Sequence, residues 1–265
     1  MIIMICGILF SINRLQAETV VEIRTSVGTM KIRLYDDVPN HTRTFLNRVK
    51  QGQFDGTLFT RVIPGFMIQG GAPDSKQAAP GARVGFGDRS AEILPETGGS
   101  HFHKKGALAA PRQDAGINPK MKSDMSQFFI VQGKVYRSGE LDTLELAANQ
   151  KARKKALDAF YYPVKAGLDS LKSADRTTFN QQIRAINARI DSVVRATPGH
   201  LIFTPEQRDM YTTLGGCPHL DGKYIVFGEL TDGFEVLEAI ARQPGDAHDR
   251  PKKDIRILAI RILSQ

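Results

Sequence analysis

Few residue types capable of covalent chemistry stand at useful spacings in this chain. His101 and His103 (HFH) would put two imidazoles on one strand face, but a tetrahedral metal site needs a third and a fourth ligand, usually Cys or an acidic group at fixed spacing, so no metal is expected. The glycines of ARVGFGD, Gly85 and Gly87, lack the preceding strand, the helix and the acidic follower of a dinucleotide fingerprint, and no GxxxxGK[ST] is present. No GxSxG elbow exists, and His248 with Asp249 has no serine partner in sequence. Cys217, between Gly216 and Pro218, reads as a small residue in a turn. None of these patterns makes a covalent catalyst or a metal site. Taken residue by residue, Phe66, Met67, Phe129 and Leu220 read as core and Arg61 as a solvated charge.

The elements that must hold these residues read mainly as strands in the first half. Residues 20–25 and 30–35 alternate apolar and polar side chains around Ser26, Val27 and Gly28, a hairpin signal. Pro39, an apolar stripe of Phe45, Leu46 and Val49, and Gly52 as terminator predict a helix of about a dozen residues capping an opening of the sheet. From 59 to 133, short apolar runs are separated by Gly, Pro, Asp and Ser at the spacing of an antiparallel barrel or sandwich.

Between 134 and 216 the period changes. Phe179, Ile183, Ile186, Ile190 and Val193 recur at helical steps, a similar pattern runs from Leu141 to Leu171, and Pro163 should kink or divide that upstream helix. The simplest arrangement is a pair of antiparallel helices packing their stripes together. Thr204, Pro205 and Gln207 form a capping-box start for one more short helix. Strand patterns return with YIVFGEL, a short helix is expected around 234–241, and IRILAIRIL reads as a strand able to bury both faces.

The chain has 265 residues, 41% hydrophobic and 24% charged, enough to fill a core as one large domain, two domains, or one domain with an insertion. Its formal net charge of +8 is modest for this length, and no nucleic-acid binding is expected from it. Residues 134–195 carry twelve Lys or Arg against seven Asp or Glu, so the helical arm holds +5 of that charge. The cysteines, Cys6 and Cys217, exclude a disulfide framework. Residues 1–17, an apolar run of about a dozen residues ending in NRLQA, read as a signal peptide cleaved after Ala17, too short to span a bilayer. Export to the periplasm or medium of a bacterium, with no stable membrane insertion after cleavage, is the expectation; the alternative is a buried N-terminal element of a cytoplasmic protein. Ile5 before Cys6 argues against lipid attachment there.

FTRVIPGFMIQGG, SQFFIVQG and HLDGKYIVFGEL, in this order, together with the opening AETVVEIRTSVGTMKIRLYDDVP and the 234–263 finish, resemble the signature blocks of the cyclophilin family. The likeness covers about residues 20–133 and 216–263. It implies a mainly β fold, a closed eight-stranded antiparallel barrel capped by two helices, interrupted here by a helical insertion over 135–215. It also implies peptidyl-prolyl cis-trans isomerase activity on proline-containing polypeptide clients, without cofactor, by a protein expected to be monomeric. By the resemblance Arg61 is the catalytic arginine and Gln69 the glutamine that holds it. Phe66, Met67, Phe129 and Leu220 match the walls of a proline pocket, and Gln127 and Arg112 the substrate groove. His219 stands where well-known members have tryptophan and Tyr224 where they have histidine; Thr60 and Pro111 replace a histidine and an alanine. These departures imply weaker cyclosporin binding and an altered substrate preference more than lost catalysis.

Such chemistry needs no nucleophile. An amide rotates by losing its resonance, against a barrier of about 18–20 kcal/mol, and a donor that favours a pyramidal prolyl nitrogen, with a pocket gripping the ring, is sufficient in kind. Arginine suits the donor role because its planar fork stays charged. The rival expectation is a binding or chaperone module in which the arm engages clients and the groove only holds proline-containing segments.

Overall fold

A computed structural model describes residues 18–96 and 101–265; the expected signal segment lies outside the described residues. The chain divides into two compact units, one formed by the sheet and the other by 102–105 with 133–221.

In the first unit, β1 (Val20–Thr25) and β2 (Gly28–Leu34) form the expected hairpin. Gly28 sits at φ 147°, and a Cβ there would come within 2.6 Å of Val236. Helix α1 (Pro39–Lys50) follows, then β3 (Phe59–Ile63) and β4 (Met67–Gly70). A two-residue strand β5 (Glu92–Ile93), β6 (Ala107–Ala110), a second two-residue strand β7 (Ser123–Asp124) and β8 (Phe128–Val131) come next. After the second unit, β9 (Ile225–Asp232), a helix over Phe234–Ala241 and β10 (Ile257–Ser264) complete the unit.

Eight strands form one curled antiparallel sheet in the order β10-β1-β2-β9-β6-β8-β4-β3, and β5 pairs with β7 separately. The expected closed barrel is not what forms: the ladder is open between β3 and β10, giving a half-barrel. Those edges meet only where both strands begin, through the Leu58–Arg256 bridge and the bonds Phe59 N to Ile255 O (2.9 Å) and Ile257 N to Thr57 O (2.8 Å). Further along, the Asp55 carboxylate accepts from Ile260 N (3.1 Å) and Arg261 (2.8 Å), so a side chain occupies the edge where a ladder would continue. This open edge also corrects the expectation that the last strand buries both faces: Ile257, Ala259 and Ile260 are buried while Leu258 and Leu263 are exposed.

One face of the sheet, with Phe45, Leu46 and Val49 of α1 and Val236, Leu237 and Ile240 of the 234–241 helix, forms the main core. Helix α1 has no side-chain cap of its own at Val38. Glu96 supplies it from a distant loop, accepting from the backbone N–H groups of Asn40 (3.0 Å) and His41 (2.9 Å). The His41 ring, fully buried, lies between Glu96 (2.5 Å) and the Ser123 hydroxyl (2.9 Å), and burial lowers its pKa.

In the second unit, α2 (Ser138–Phe160) and α3 (Lys165–Ala174) are divided by a short turn over Tyr162–Val164 at Pro163, and α4 (Arg176–Ala196) packs against both. Helix α5 (Pro205–Thr213) starts with the anticipated Thr204–Gln207 capping box. Of the anticipated α4 stripe only Ile190 is buried. Ala156, Leu168 and Val194 are also buried along the helices, and a separate cluster gathers Leu141, Phe203 and Tyr211. Among the described residues, no helix is long and apolar enough to cross a membrane.

The helix Phe234–Ala241 is α6, sixth in chain order.

Candidate active site

The site follows from register. Arg61 on β3 faces Gln69 on β4, Gln69 faces Phe129 on β8, and Phe129 faces Ala109 on β6. Directly paired residues share a face, and their chain neighbours Val62, Ile68, Ile130 and Leu108 all enter the core. Arg61, Gln69 and Phe129 therefore form a row on the opposite, outer face, its ends two strands or about 10 Å apart. Met67, paired with Val131, belongs to the same face. Met67 and Phe129 are nonetheless only 2% and 3% exposed, so beside the cation the row is apolar and closely packed.

The β3–β4 turn presents Phe66, which is half-buried. Gly65 takes φ 73°, its N–H donates to the Gln132 side chain (2.7 Å), and Gln132 N donates to Phe66 O (3.0 Å). Gln132 is held in turn by Glu238 of α6 (2.8 Å), so the helix that caps the core also fixes the turn.

Arg61 is 46% exposed, and its Nε lies 3.3 Å from Asp249 Oδ2. Gln69, although opposite Arg61, donates to Gln127 Oε1 (3.0 Å). The expected arrangement, with Gln69 holding the arginine, is replaced by one in which the carboxamide belongs to a chain of polar side chains. Gln127, 4% exposed, donates to Asp124 Oδ2 (3.0 Å) and Gly85 O (3.3 Å), and Asp124 accepts from the Ser126 backbone and hydroxyl. Arg112 donates through Nε to Lys223 O (2.9 Å) and lies 4.9 Å above the Tyr224 ring, whose edge meets Phe129 at 6.0 Å between centroids. Thus eight anticipated residues, Arg61, Phe66, Met67, Gln69, Arg112, Gln127, Phe129 and Tyr224, fall in the sheet unit. His219, exposed, and Leu220, buried, lie on a short turn, Pro218–Leu220, assigned to the second unit.

Asp249, which local pattern offers only as the neighbour of His248, is not linked to Arg61 by any sequence signal: the two lie 188 positions apart. The histidines set aside as metal ligands go to separate carboxylates: His101 to Asp37 (2.8 Å), stacked on Tyr35, and His103 to Asp221 (2.9 Å). Among the described residues, no group of three or more His, Cys, Asp or Glu is placed to hold a metal.

Residues 20–158 and 165–262 match the family model for cyclophilin type peptidyl-prolyl cis-trans isomerase/CLD. The chain belongs to the cyclophilin-type peptidyl-prolyl cis-trans isomerases. It is 28% identical over 244 residues to a Staphylococcus haemolyticus protein named "Putative peptidyl-prolyl cis-trans isomerase", covering 92% of this chain and 90% of that one. It is 30% identical over 247 residues to a Streptococcus pyogenes protein named "Putative bifunctional phosphatase/peptidyl-prolyl cis-trans isomerase", covering 91% of this chain but spanning only 38% of that longer protein. In fold it is similar to the crystal structure of a Cryptosporidium parvum cyclophilin type peptidyl-prolyl cis-trans isomerase, with a TM-score of 0.52 at 20% identity, covering 94% of this chain and 99% of that one.

Proposed function

We propose that this isomerase speeds rotation about X-Pro bonds in folding polypeptides, with Arg61 as electrostatic catalyst and Phe66, Met67 and Phe129 as the apolar wall that grips the proline ring. The observation that supports this most is the row Arg61–Gln69–Phe129 across three adjacent strands on the outer face. A half-exposed guanidinium there can donate to the substrate carbonyl and the prolyl amide as resonance is lost, and a donor already in place needs no reorganisation at the transition state. Leu220 and His219 enter the substrate-binding set through the family resemblance alone. The same holds for proline-containing clients; one solved relative was crystallised in the presence of the dipeptide Ala-Pro.

The deciding experiment is protease-coupled or NMR-exchange isomerisation of an X-Pro peptide by residues 18–265 and by Arg61→Ala. Loss of one preorganised donor of this kind costs on the order of 10²-fold in rate, and a fall of that order is expected here. Equal rates would remove Arg61 from the mechanism. If neither protein beat the blank while both bound the peptide, the rival reading, a proline-segment-binding chaperone or interaction module, would replace catalysis. Export to the periplasm or medium is part of the same proposal and rests on the composition of residues 1–17. An N-terminus at Glu18 in protein from the native host is the result that supports it, and a retained Met1 the result that removes it.

A further inference from the structure

Only two described residues other than glycine have positive φ, Met121 and Asp249. Asp249, at φ 63°, stands beside Arg61, and backbone held in that region away from glycine marks a position that its surroundings over-determine. The surroundings here are explicit. Asp246 accepts from the backbone of His248 (2.7 Å) and Arg250 (3.1 Å), and Asp249 N donates to Asp246 O (3.2 Å). Arg250, 3% exposed, locks the loop's far side through Asp254 (2.8 Å) and the carbonyls of Ala79 and Ala82. On the near side, Val62 N donates to Asp249 O (2.8 Å), joining the loop to β3 at the residue after Arg61. The carboxylate is thereby aimed at the guanidinium by backbone on both partners.

We propose that Asp249 is the positioning residue of Arg61, an inference that rests on the reading of Arg61 as the catalytic cation. Its Oδ2 takes the Nε side of the guanidinium and leaves the Nη groups for the substrate. Arginine is long and costly to order, and at 46% exposure it would otherwise sample many rotamers. The carboxamide opposite makes no bond to the guanidinium, its amide donating instead to Gln127. Gripping Nε fixes the plane of the fork while sparing its ends, which raises the fraction of encounters in a reactive geometry.

The test compares residues 18–265 with Asp249→Asn, which keeps the shape and the tolerance for left-handed backbone but removes the charge. Asp249→Gly serves as a second variant, removing the side chain while easing the φ. The readouts are kcat and KM for an X-Pro peptide, in low salt and in 1 M NaCl, with thermal unfolding as the fold control. A half-exposed ion pair of this kind is worth up to about fivefold. A loss of about two- to fivefold in kcat is expected for both variants, with KM and the melting temperature unchanged. The gap from the parent protein narrows in high salt, where such pairs are screened. Placed in an Arg61→Lys background, Asp249→Asn should add no further loss. Full kcat in Asp249→Asn, a gain in kcat, or an equal loss in both Arg61 backgrounds overturns the positioning role. Slow Arg61→Ala with full-speed Asp249→Asn rejects only Asp249, whereas full-speed Arg61→Ala rejects the parent reading and this one together.

Discussion

Replacing Gln127 by leucine tests whether the chain of polar side chains under Gln69 holds the outer face in shape. The buried carboxamide has bonds to Gln69, Asp124 and Gly85 at 3.0, 3.0 and 3.3 Å. Two of these are between neutral groups and contribute about 1 kcal/mol each, while the bond to the Asp124 carboxylate contributes about 1.5–3 kcal/mol. Leucine recovers about 1–2 kcal/mol of that sum by burying apolar surface, but leaves Asp124 Oδ2 and the Gln69 amide without their partner. The net cost is about 2–4 kcal/mol, and at roughly 2–4 °C per kcal/mol for a chain of this size the melting temperature should fall by about 4–16 °C. Circular dichroism in the far ultraviolet reads this directly, which matters because the chain contains no tryptophan. Gln127→Glu should be at least as damaging, since it sets a second carboxylate against Asp124. A shift under 1 °C for both variants would refute the assignment of the polar chain as a structural support.

Three other outcomes follow from single features. His41 has a folded pKa depressed by burial, so the unfolded chain takes up its proton first; urea stability should decline as pH falls below about 6.5, and His41→Gln should flatten that slope between pH 7 and 5.5 while lowering stability overall. Gly133→Ala should cost at least about 2 kcal/mol in urea unfolding, because at φ 63° a Cβ would come 2.3 Å from the Gly216 Cα and only backbone can yield. The Cys217 thiol, buried and pushed up to about 12 by burial and by Asp221, should not react with a thiol reagent at pH 8 in the native state. In denaturant the same reagent should count one thiol if residues 1–17 have been removed and two, Cys6 and Cys217, if they remain.

Local signals carried the elements well where one residue type has one cheap conformation. Pro39 opens α1, Pro163 divides α2 from α3, and Thr204 with Gln207 caps α5. Alternation located the β1–β2 hairpin, and the apolar runs located β3, β4, β6 and β8. Periodicity overstated burial, because it records which side chains share a face and not whether another element covers that face. The α4 stripe and Leu258 on β10 both show this, half-buried in the first case and exposed in the second. Sheet closure was illegible for a related reason: it depends on how far two edge strands overlap, and β3 and β10 overlap only at their starts.

The site divides along the same line. Because strand side chains alternate with period two, placing Arg61 and Gln69 on one hairpin and Phe129 on the next strand determines their common face once the register is known. That register is set by the core residues between them, Val62, Ile68 and Ile130, so the apolar pattern that builds the interior also aims the outer row. Gln127, which bonds Gln69, stands in the same block as Phe129, but the group beside the cation comes from elsewhere in the chain: Asp249, from a loop 188 positions beyond Arg61. No period links Arg61 with Asp249, since that pair forms only when a distant loop closes on the finished strand. A blocked motif therefore identifies the residues that would meet the substrate but not the ones that hold them, and it is among the latter that the open-edged sheet allows Asp249 to approach the arginine from the β10 side.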